Sequence, residues 1–225
     1  MEIIKEYTVL PAKLTPEFQG LWEGDTWRIA PCLEIDYFCP ESSEHRPFSQ
    51  CKLLYSRDHL FGIFRVDDCY VRCVHTGFQA EAYKDSCVEF FVQPGKRGYF
   101  NFEFNCGGAM LAFYVTDPTR VDGLLKEFIP LLPDEGHRIH IYHTMPNVVE
   151  PEIKEKTVWY LEFSIPFALL EKYAGAFGKV DGQVWKANFY KCGNNTSHPH
   201  WGSWSAIDAR NFHLPAKFGN IRFAE

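Results

Sequence analysis

The sequence lacks the features of several common protein classes. It has no run of about 18 apolar residues, so no membrane-spanning helix is predicted. It has no basic stripe, and its net charge of −6 argues against a nucleic-acid partner. The motifs GxSxG, HExxH, GxGxxG and the P-loop are all missing, so no familiar catalytic centre is indicated.

Paired-cysteine motifs are missing as well, and no export signal is predicted from the first residues given. The chain has eight cysteines but no CxxC, which disfavours a zinc ribbon or a thioredoxin-like site. The first residues, MEIIKEYTVL, contain no basic stretch followed by an apolar one. If Met1 is the natural start, we expect a cytoplasmic protein with reduced cysteines. If a signal peptide has been removed, we expect a secreted or periplasmic protein instead.

Aromatic residues, by contrast, are abundant. They make up 16% of the 225 residues, with 20 Phe, 11 Tyr and 6 Trp. Aromatic side chains fit a pleated, half-buried surface, so this composition favours β-sheet. Neither a linker nor a repeat interrupts the chain, and residues 1–225 are predicted to form a single domain.

Apolar and polar residues alternate with a period of two along most of the chain, which predicts about ten strands. The clearest pair, 87–93 and 99–105, is joined by a PGKRG turn and reads as a hairpin. One short helix is predicted at 167–173, after Pro166, and a single turn at 79–84. The fold class that follows is all-β, a two-sheet antiparallel, jelly-roll-like sandwich with one or two short helices. The other predicted strands are 28–38, 51–56, 60–66, 109–115, 137–144, 157–166, 184–192 and 219–225.

The region 193–218 is the longest one without a periodic pattern. A long irregular loop in a compact domain is often functional. This one contains Trp201 and Trp204, whose flat rings could stack on a sugar, with Asn and His side chains nearby. The alternative interpretation is that the two rings only pin the loop to the sandwich.

One face of the predicted hairpin is polar. It carries Glu89, Asn101, Glu103 and Asn105, and Asn188 lies on the corresponding face of a later strand. Such a face is either a hydrogen-bonding surface or a solvated one, and the pattern alone favours the solvated one. Glu89 and Glu103 could also act as the paired carboxylates of a glycosidase.

Metal ligands are sparse. Asp67, Asp68 and Asp85 lie at strand ends and are weak candidates for calcium, because the pattern favours surface turn residues. His198 and His200 are separated by Pro199, which would hold the two rings apart, so no histidine metal site is predicted.

An ordered series of segments along nearly the whole chain resembles the family 9 carbohydrate-binding modules and their stand-alone relatives. After Asp67-Asp68 and Tyr83, the segments are DSCVEFFVQP (85–94), YFNFEFN (99–105), WYLEFSIPFALL (159–170), VWKANFYKCG (184–193), HWGSW (200–204) and F-H-x-P-x-x-F-G-x-I-x-F (212–223).

The resemblance implies a β-sandwich that binds sugar, often the end of a polysaccharide, between two aromatic rings. It also implies a hydrogen-bonding carboxylate and, in some members, structural calcium. On this basis Tyr83 corresponds to the first ring and Glu89 to the carboxylate, and the second ring is Trp201 or Trp204. Asn105 and Asn188 are weaker candidates for hydroxyl binding. The first ring is usually Trp in this family, so Tyr83 implies less stacking area.

The sequence therefore predicts non-catalytic binding of a mono- or oligosaccharide that serves polysaccharide breakdown, with no cofactor required. Two alternatives stay open. One is a glycoside hydrolase that uses Glu89 and Glu103. The other is a protein-interaction module that docks through the loop carrying Trp201 and Trp204.

Overall fold

The computed structural model describes residues 4–225, and strands dominate it. Two short helices, α1 (Pro133–Gly136) and α2 (Phe167–Ala174), accompany them. In chain order the strands are β1 (Glu6–Pro11), β2 (Leu33–Glu34), β3 (Tyr37–Phe38), β4 (Phe48–Tyr55), β5 (His59–Asp68), β6 (Val71–Cys73), β7 (Cys87–Gln93), β8 (Tyr99–Asn105), β9 (Met110–Val121), β10 (Leu124–Pro130), β11 (His140–His143), β12 (Val149–Ile153), β13 (Thr157–Pro166), β14 (Val184–Cys192), β15 (Trp201–Ser203) and β16 (Gly219–Phe223).

The strands form two sheets that pack face to face, which confirms the predicted sandwich. The front sheet has the order β10-β9-β8-β7-β14-β16, and the back sheet has the order β4-β5-β13-β11. Strand β1 connects them, because it pairs in parallel with β16 on one side and with β4 on the other. The remaining pairs of named strands are antiparallel, including the separate ribbon of β6 and β12.

The core lies between the two sheets and is built largely from phenylalanine. Phe163 of β13 stacks on Phe90 of β7 with ring centroids 5.6 Å apart. Gly62 lies opposite Phe163 in the ladder, and a Cβ atom there would come within 2.2 Å of the Phe163 ring. The core-facing side of β13 follows the predicted alternation, and its members are all fully buried: Trp159, Leu161, Phe163 and Ile165.

A buried ion pair joins the two sheets at one end of this core. The Nζ atom of Lys191 in β14 lies 3.3 Å from Oδ2 of Asp68 in β5, and both side chains are fully buried. Trp159 donates its indole N–H to the same oxygen, and His45 contacts the other oxygen at 2.7 Å. Burial alone would raise the pKa of Asp68, but Lys191 and His45 lower it to about 2.

Several segments differ from the sequence prediction, and strands β1, β6, β12 and β15 lie where no strand was predicted. Residues 28–38 do not form one strand but a 3-10 turn at Trp27–Ile29 and the short strands β2 and β3. Pro31 lies between the 3-10 turn and β2, and it has no N–H to give to a ladder. The run at 109–115 is much longer than predicted, because β9 continues to Val121 and returns as β10 through a turn at Asp122-Gly123.

Candidate functional site

The polar outer face of the front sheet is buried, so the prediction of a solvated face is wrong. Glu89 is 2% exposed, Glu103 is 5% exposed, and Asn101 is fully buried. The β9–β10 hairpin and the segment 193–213 border this face and line a pocket over it. Alternation along β7 and β8 identified the face correctly, but it could not show what covers it.

The pocket has a volume of about 500 Å³, within the range of about 300–1,000 Å³ that is typical of small-ligand sites. Its floor is the front sheet, where Glu89 and Glu103 lie beside Leu111 and Phe113. Its walls combine aromatic rings with a few polar groups, among them Tyr83, Arg120, Phe128, Asn194, Trp201 and Arg210.

The two carboxyl groups on the floor are direct neighbours. Glu89 of β7 and Glu103 of β8 form a cross-strand pair, so their Cβ atoms are about 4.5–5.5 Å apart. Asn101 donates a hydrogen bond to Oε1 of Glu103 at 2.8 Å, and the Cys192 thiol donates one to Oε1 of Glu89 at 3.1 Å. Burial, with Cys192 and Glu103, raises the pKa of Glu89 well above its usual value. Burial likewise raises the pKa of Glu103 to about 7.

We expect the variant Glu103→Gln to remove part of the pH dependence of stability. The pKa of Glu103 is about 7 in the folded protein and 4.5 when unperturbed, so between these values the folded state holds a proton that the unfolded chain has lost. Wild-type stability should therefore fall as the pH rises through this window, by on the order of 2–3 kcal/mol.

Thermal unfolding near pH 4.5 and again above pH 7 measures this effect. Glu103→Gln should match the wild type at the lower pH and exceed its Tm at the higher pH. The exposed Glu155 serves as control, and Glu155→Gln should track the wild type throughout. A difference between Glu103→Gln and the wild type that is the same at both pH values would contradict the assignment.

Trp201 is placed by a short strand. In the ladder between β14 and β15 it lies directly opposite Cys192, so its side chain shares the outer face of the front sheet. Its indole N–H donates to Asn194 Oδ1 at 2.6 Å, and its backbone N–H donates to Ser42 Oγ at 3.0 Å. The guanidinium of exposed Arg210 covers one ring face, 3.6 Å from the ring centroid. A ligand that stacks on this face would have to displace Arg210.

Tyr83 lies in a 3-10 turn, Ala82–Lys84, at the edge of the pocket. Its hydroxyl donates to Glu81 at 2.9 Å, and its backbone carbonyl accepts the N–H of Asn194 at 3.2 Å. This backbone bond joins the turn to the loop that leads to Trp201. The structure therefore brings together Tyr83, Glu89 and Trp201, three of the predicted ligand-binding residues.

The other three predicted residues lie outside the pocket lining. Trp204 belongs to the sandwich core, where it packs edge-on against Phe189. Asn105 uses its amide to bind Asp85 and two backbone groups, and Asn188 bonds to the backbone around Ser205. These amides hold the loops that surround the pocket, and side chains so fully hydrogen-bonded have little capacity left for a ligand.

The acidic residues considered for calcium do not converge. Asp68 is paired with Lys191 inside the core, and Asp67 forms an ion pair with Arg65 at 2.9 Å. Asp85 accepts the backbone N–H groups of residues 74 and 75.

The histidines of the long loop are separated as well. His200 contacts Lys191 at 2.8 Å, His198 stacks on Tyr70, and His213 shares a hydrogen bond with Tyr99. Each ring therefore has a partner of its own, and the three do not form a common ligand set.

Sequence reasoning missed the wall formed by the β9–β10 hairpin. This hairpin supplies Arg120, Leu124, Leu125 and Phe128 to the pocket. The signal was present, since Asp-Gly between two apolar runs is a strong hairpin indicator and both residues adopt positive φ here, 51° and 83°. Arg210 was missed as well, and no local pattern indicates its position over Trp201.

No helix in residues 4–225 is long and apolar enough to cross a membrane. A comparison with curated proteins finds no significant match.

Solved structures resemble the chain along its whole length. A candidate carbohydrate-binding protein from Bacteroides uniformis is 25% identical, with a TM-score of 0.84 over 98% of this chain and 100% of that one. A family 9 carbohydrate-binding module from Caldicellulosiruptor kristjanssonii in complex with cellotriose is 14% identical, with a TM-score of 0.63 over 98% of this chain and 94% of that one. The module from the same organism in complex with glucose is 13% identical, with a TM-score of 0.60 and coverage of 96% and 95%.

The model of carbohydrate-binding family 9 matches residues 26–223, which include both sheets and every residue that lines the pocket. The chain therefore belongs to carbohydrate-binding family 9.

Proposed function

We propose that the pocket binds a mono- or oligosaccharide without cleaving it. The observation that best supports this is an oxygen without a partner. Oε2 of Glu103 is buried on the pocket floor and has no hydrogen-bond partner among residues 4–225. A buried polar atom is rarely left unpaired, and a ligand hydroxyl would satisfy it.

The aromatic rings and the carboxyl groups would contact different parts of the sugar. Tyr83 and Trp201 offer flat faces to the C–H side of a pyranose ring, as aromatic residues do in sugar sites. Glu89 and Glu103 would bind hydroxyl groups from below. Arg120 and Arg210 lie at the pocket wall, where their N–H groups can donate to hydroxyl oxygens.

Glucose and β-linked glucose oligosaccharides are the first ligands to test, because two structurally similar modules were solved with glucose and with cellotriose. A monosaccharide-sized ligand should bind with a Kd on the order of 0.1–1 mM. Binding of this kind would serve polysaccharide breakdown by holding the protein on the polysaccharide.

A thermal-shift screen tests the proposal. The purified protein is heated with mono- and oligosaccharides, each with calcium and with EDTA. A ligand that binds only the folded state raises Tm by mass action, and 10 mM of the correct sugar should give a rise of roughly 3–10 °C. No rise with any sugar would contradict sugar binding and favour a protein partner for the same surface.

A glycosidase is the second candidate, because the carboxyl groups of Glu89 and Glu103 are adjacent and buried and have raised pKa values. In that case an aryl glycoside should be hydrolysed by the wild type and not by Glu89→Gln. We expect no turnover by either protein, while Glu89→Gln still folds and binds sugar more weakly.

A further inference from the structure

Two cysteines and a glutamate converge beneath the pocket. Cys87 and Cys192 are directly opposite each other in the β7–β14 ladder, and Glu89 lies two residues after Cys87 on the same face. The two Sγ atoms and one Glu89 carboxylate oxygen all lie within 4.8 Å of one another. Among residues 4–225 this is the one group of three or more His, Cys, Asp and Glu side chains that meets this distance.

We propose that Cys87, Glu89 and Cys192 bind a thiophilic divalent cation of the zinc class. A tetrahedral site with Zn–S bonds of about 2.3 Å and Zn–O bonds of about 2.0–2.2 Å needs ligand atoms roughly 3.5–3.8 Å apart. Cys192 Sγ and Glu89 Oε1 are 3.1 Å apart, so small side-chain rotations would suffice. Thiolate ligands favour zinc over calcium or magnesium, which prefer oxygen.

The position of the three side chains also favours metal binding. All three are buried, yet Glu89 and Cys192 line the pocket, so an ion could enter from it. Three protein ligands leave a fourth position, which is the arrangement of zinc sites that bind a water or a ligand. Here that position would face the pocket, where a water or a sugar hydroxyl could fill it.

The apolar setting suits a thiolate–metal centre. Cys87 and Cys192 pack in one cluster with Ala82, Cys39 and Trp201, which would shield the ion from bulk water. A dication would also offset the charge of the buried carboxylate and thiolates, which is costly to bury alone.

The test uses the metal alone, so it does not depend on sugar binding. Reduced protein, shown to carry eight free thiols after denaturation, is titrated with Co²⁺ as a coloured substitute for Zn²⁺ and then with Zn²⁺ against a chromophoric chelator. We expect one ion per chain and sulfur-to-cobalt charge-transfer absorption. Cys87→Ser and Cys192→Ser should each weaken binding by more than about 100-fold, since loss of an outer-sphere partner already costs about 10–100-fold.

Cys51→Ser is the matched control, because Cys51 is equally buried but lies on β4 of the back sheet. This variant should bind Co²⁺ and Zn²⁺ like the wild type. X-ray absorption at the zinc edge of the wild type gives a second readout that needs no variant. It should show two sulfur ligands at about 2.3 Å. Absence of a bound ion, a coordination shell without sulfur, or unchanged metal binding in both Cys87→Ser and Cys192→Ser would overturn the proposal.

Discussion

Alanine in place of Tyr83 or Trp201 should weaken sugar binding by roughly 10- to 100-fold. Each ring would supply one face of the stacking platform, and loss of a central aromatic contact costs about 1–3 kcal/mol. Tyr83→Phe keeps the ring and removes only the hydroxyl that bonds to Glu81, so its affinity should stay within about threefold of the wild type. Titration calorimetry with the sugar found in the screen measures all three variants.

Trp22 provides the matched control for Trp201. Both indoles are 8% exposed, but Trp22 packs on the outer side of the back sheet against Leu54, Phe61 and Ile63. Trp22→Ala should therefore lower stability without changing sugar affinity. If Trp22→Ala and Trp201→Ala weakened binding equally, the effect would be one of general destabilisation, and the role of Trp201 as a platform would be wrong.

The second large effect is on stability. Lys191→Met should destabilise the fold by about 3–5 kcal/mol, because it leaves the buried carboxylate of Asp68 without its ammonium partner. For a chain of this size, such a loss corresponds to a fall in Tm of roughly 6–20 °C. The loop after β14 should loosen as well, since Lys191 also bonds to His200 and to the carbonyl of Cys192.

Two further variants define the cause. Lys186→Met alters the same strand at a half-buried position and should change Tm little. Adding Asp68→Asn to Lys191→Met removes the buried, unpaired negative charge and should restore part of the lost stability. If the double variant were less stable than Lys191→Met alone, the charge would not be the source of the effect.

The pH dependence of this ion pair has a defined sign. The pKa of Asp68 is about 2 in the folded protein, below its unperturbed 3.8, so its contribution is present above pH 3.8 and lost as the pH falls through about 2. This acid-side loss is opposite in direction to the effect of Glu103. Asp68 therefore affects stability at acidic pH, and Glu103 affects it as the pH rises towards neutrality.

The strands were predictable where local pattern determines them. The bounds of β7, β8, β13 and β14 match the predicted ranges, because alternating aromatic and polar residues fix which side of each strand is buried. The helix after Pro166 was likewise predicted within one residue. These features depend on residues that are close together in the sequence, so they can be predicted from one sequence alone.

The pocket was only partly predictable, since it depends on contacts between distant segments. Tyr83 and Trp201, both singled out from the sequence, line the pocket, but Trp204 follows Trp201 by three residues and belongs to the core. No local rule separates the two, because the turn that sends Trp204 inward is set by packing on Phe189 and Gly219. The proximity of Cys87 to Cys192 also follows from strand pairing across about a hundred residues of chain.

Membership of the family fixes the fold more firmly than the ligand. The front-sheet pocket contains a carboxyl pair and the Cys192 thiol, with Cys87 directly opposite Cys192 and with an arginine over the indole of Trp201. These residues would determine which sugar fits and whether an ion participates.

Titration calorimetry of the wild-type protein with cellotriose and with glucose tests the central claim most directly. The sugar is recovered from the calorimeter cell after each titration and analysed by chromatography. The account predicts saturable binding of one sugar per chain, with every molecule recovered intact. Absence of heat at millimolar sugar would contradict the proposed binding site, and release of shorter sugars would show that the carboxyl pair is catalytic.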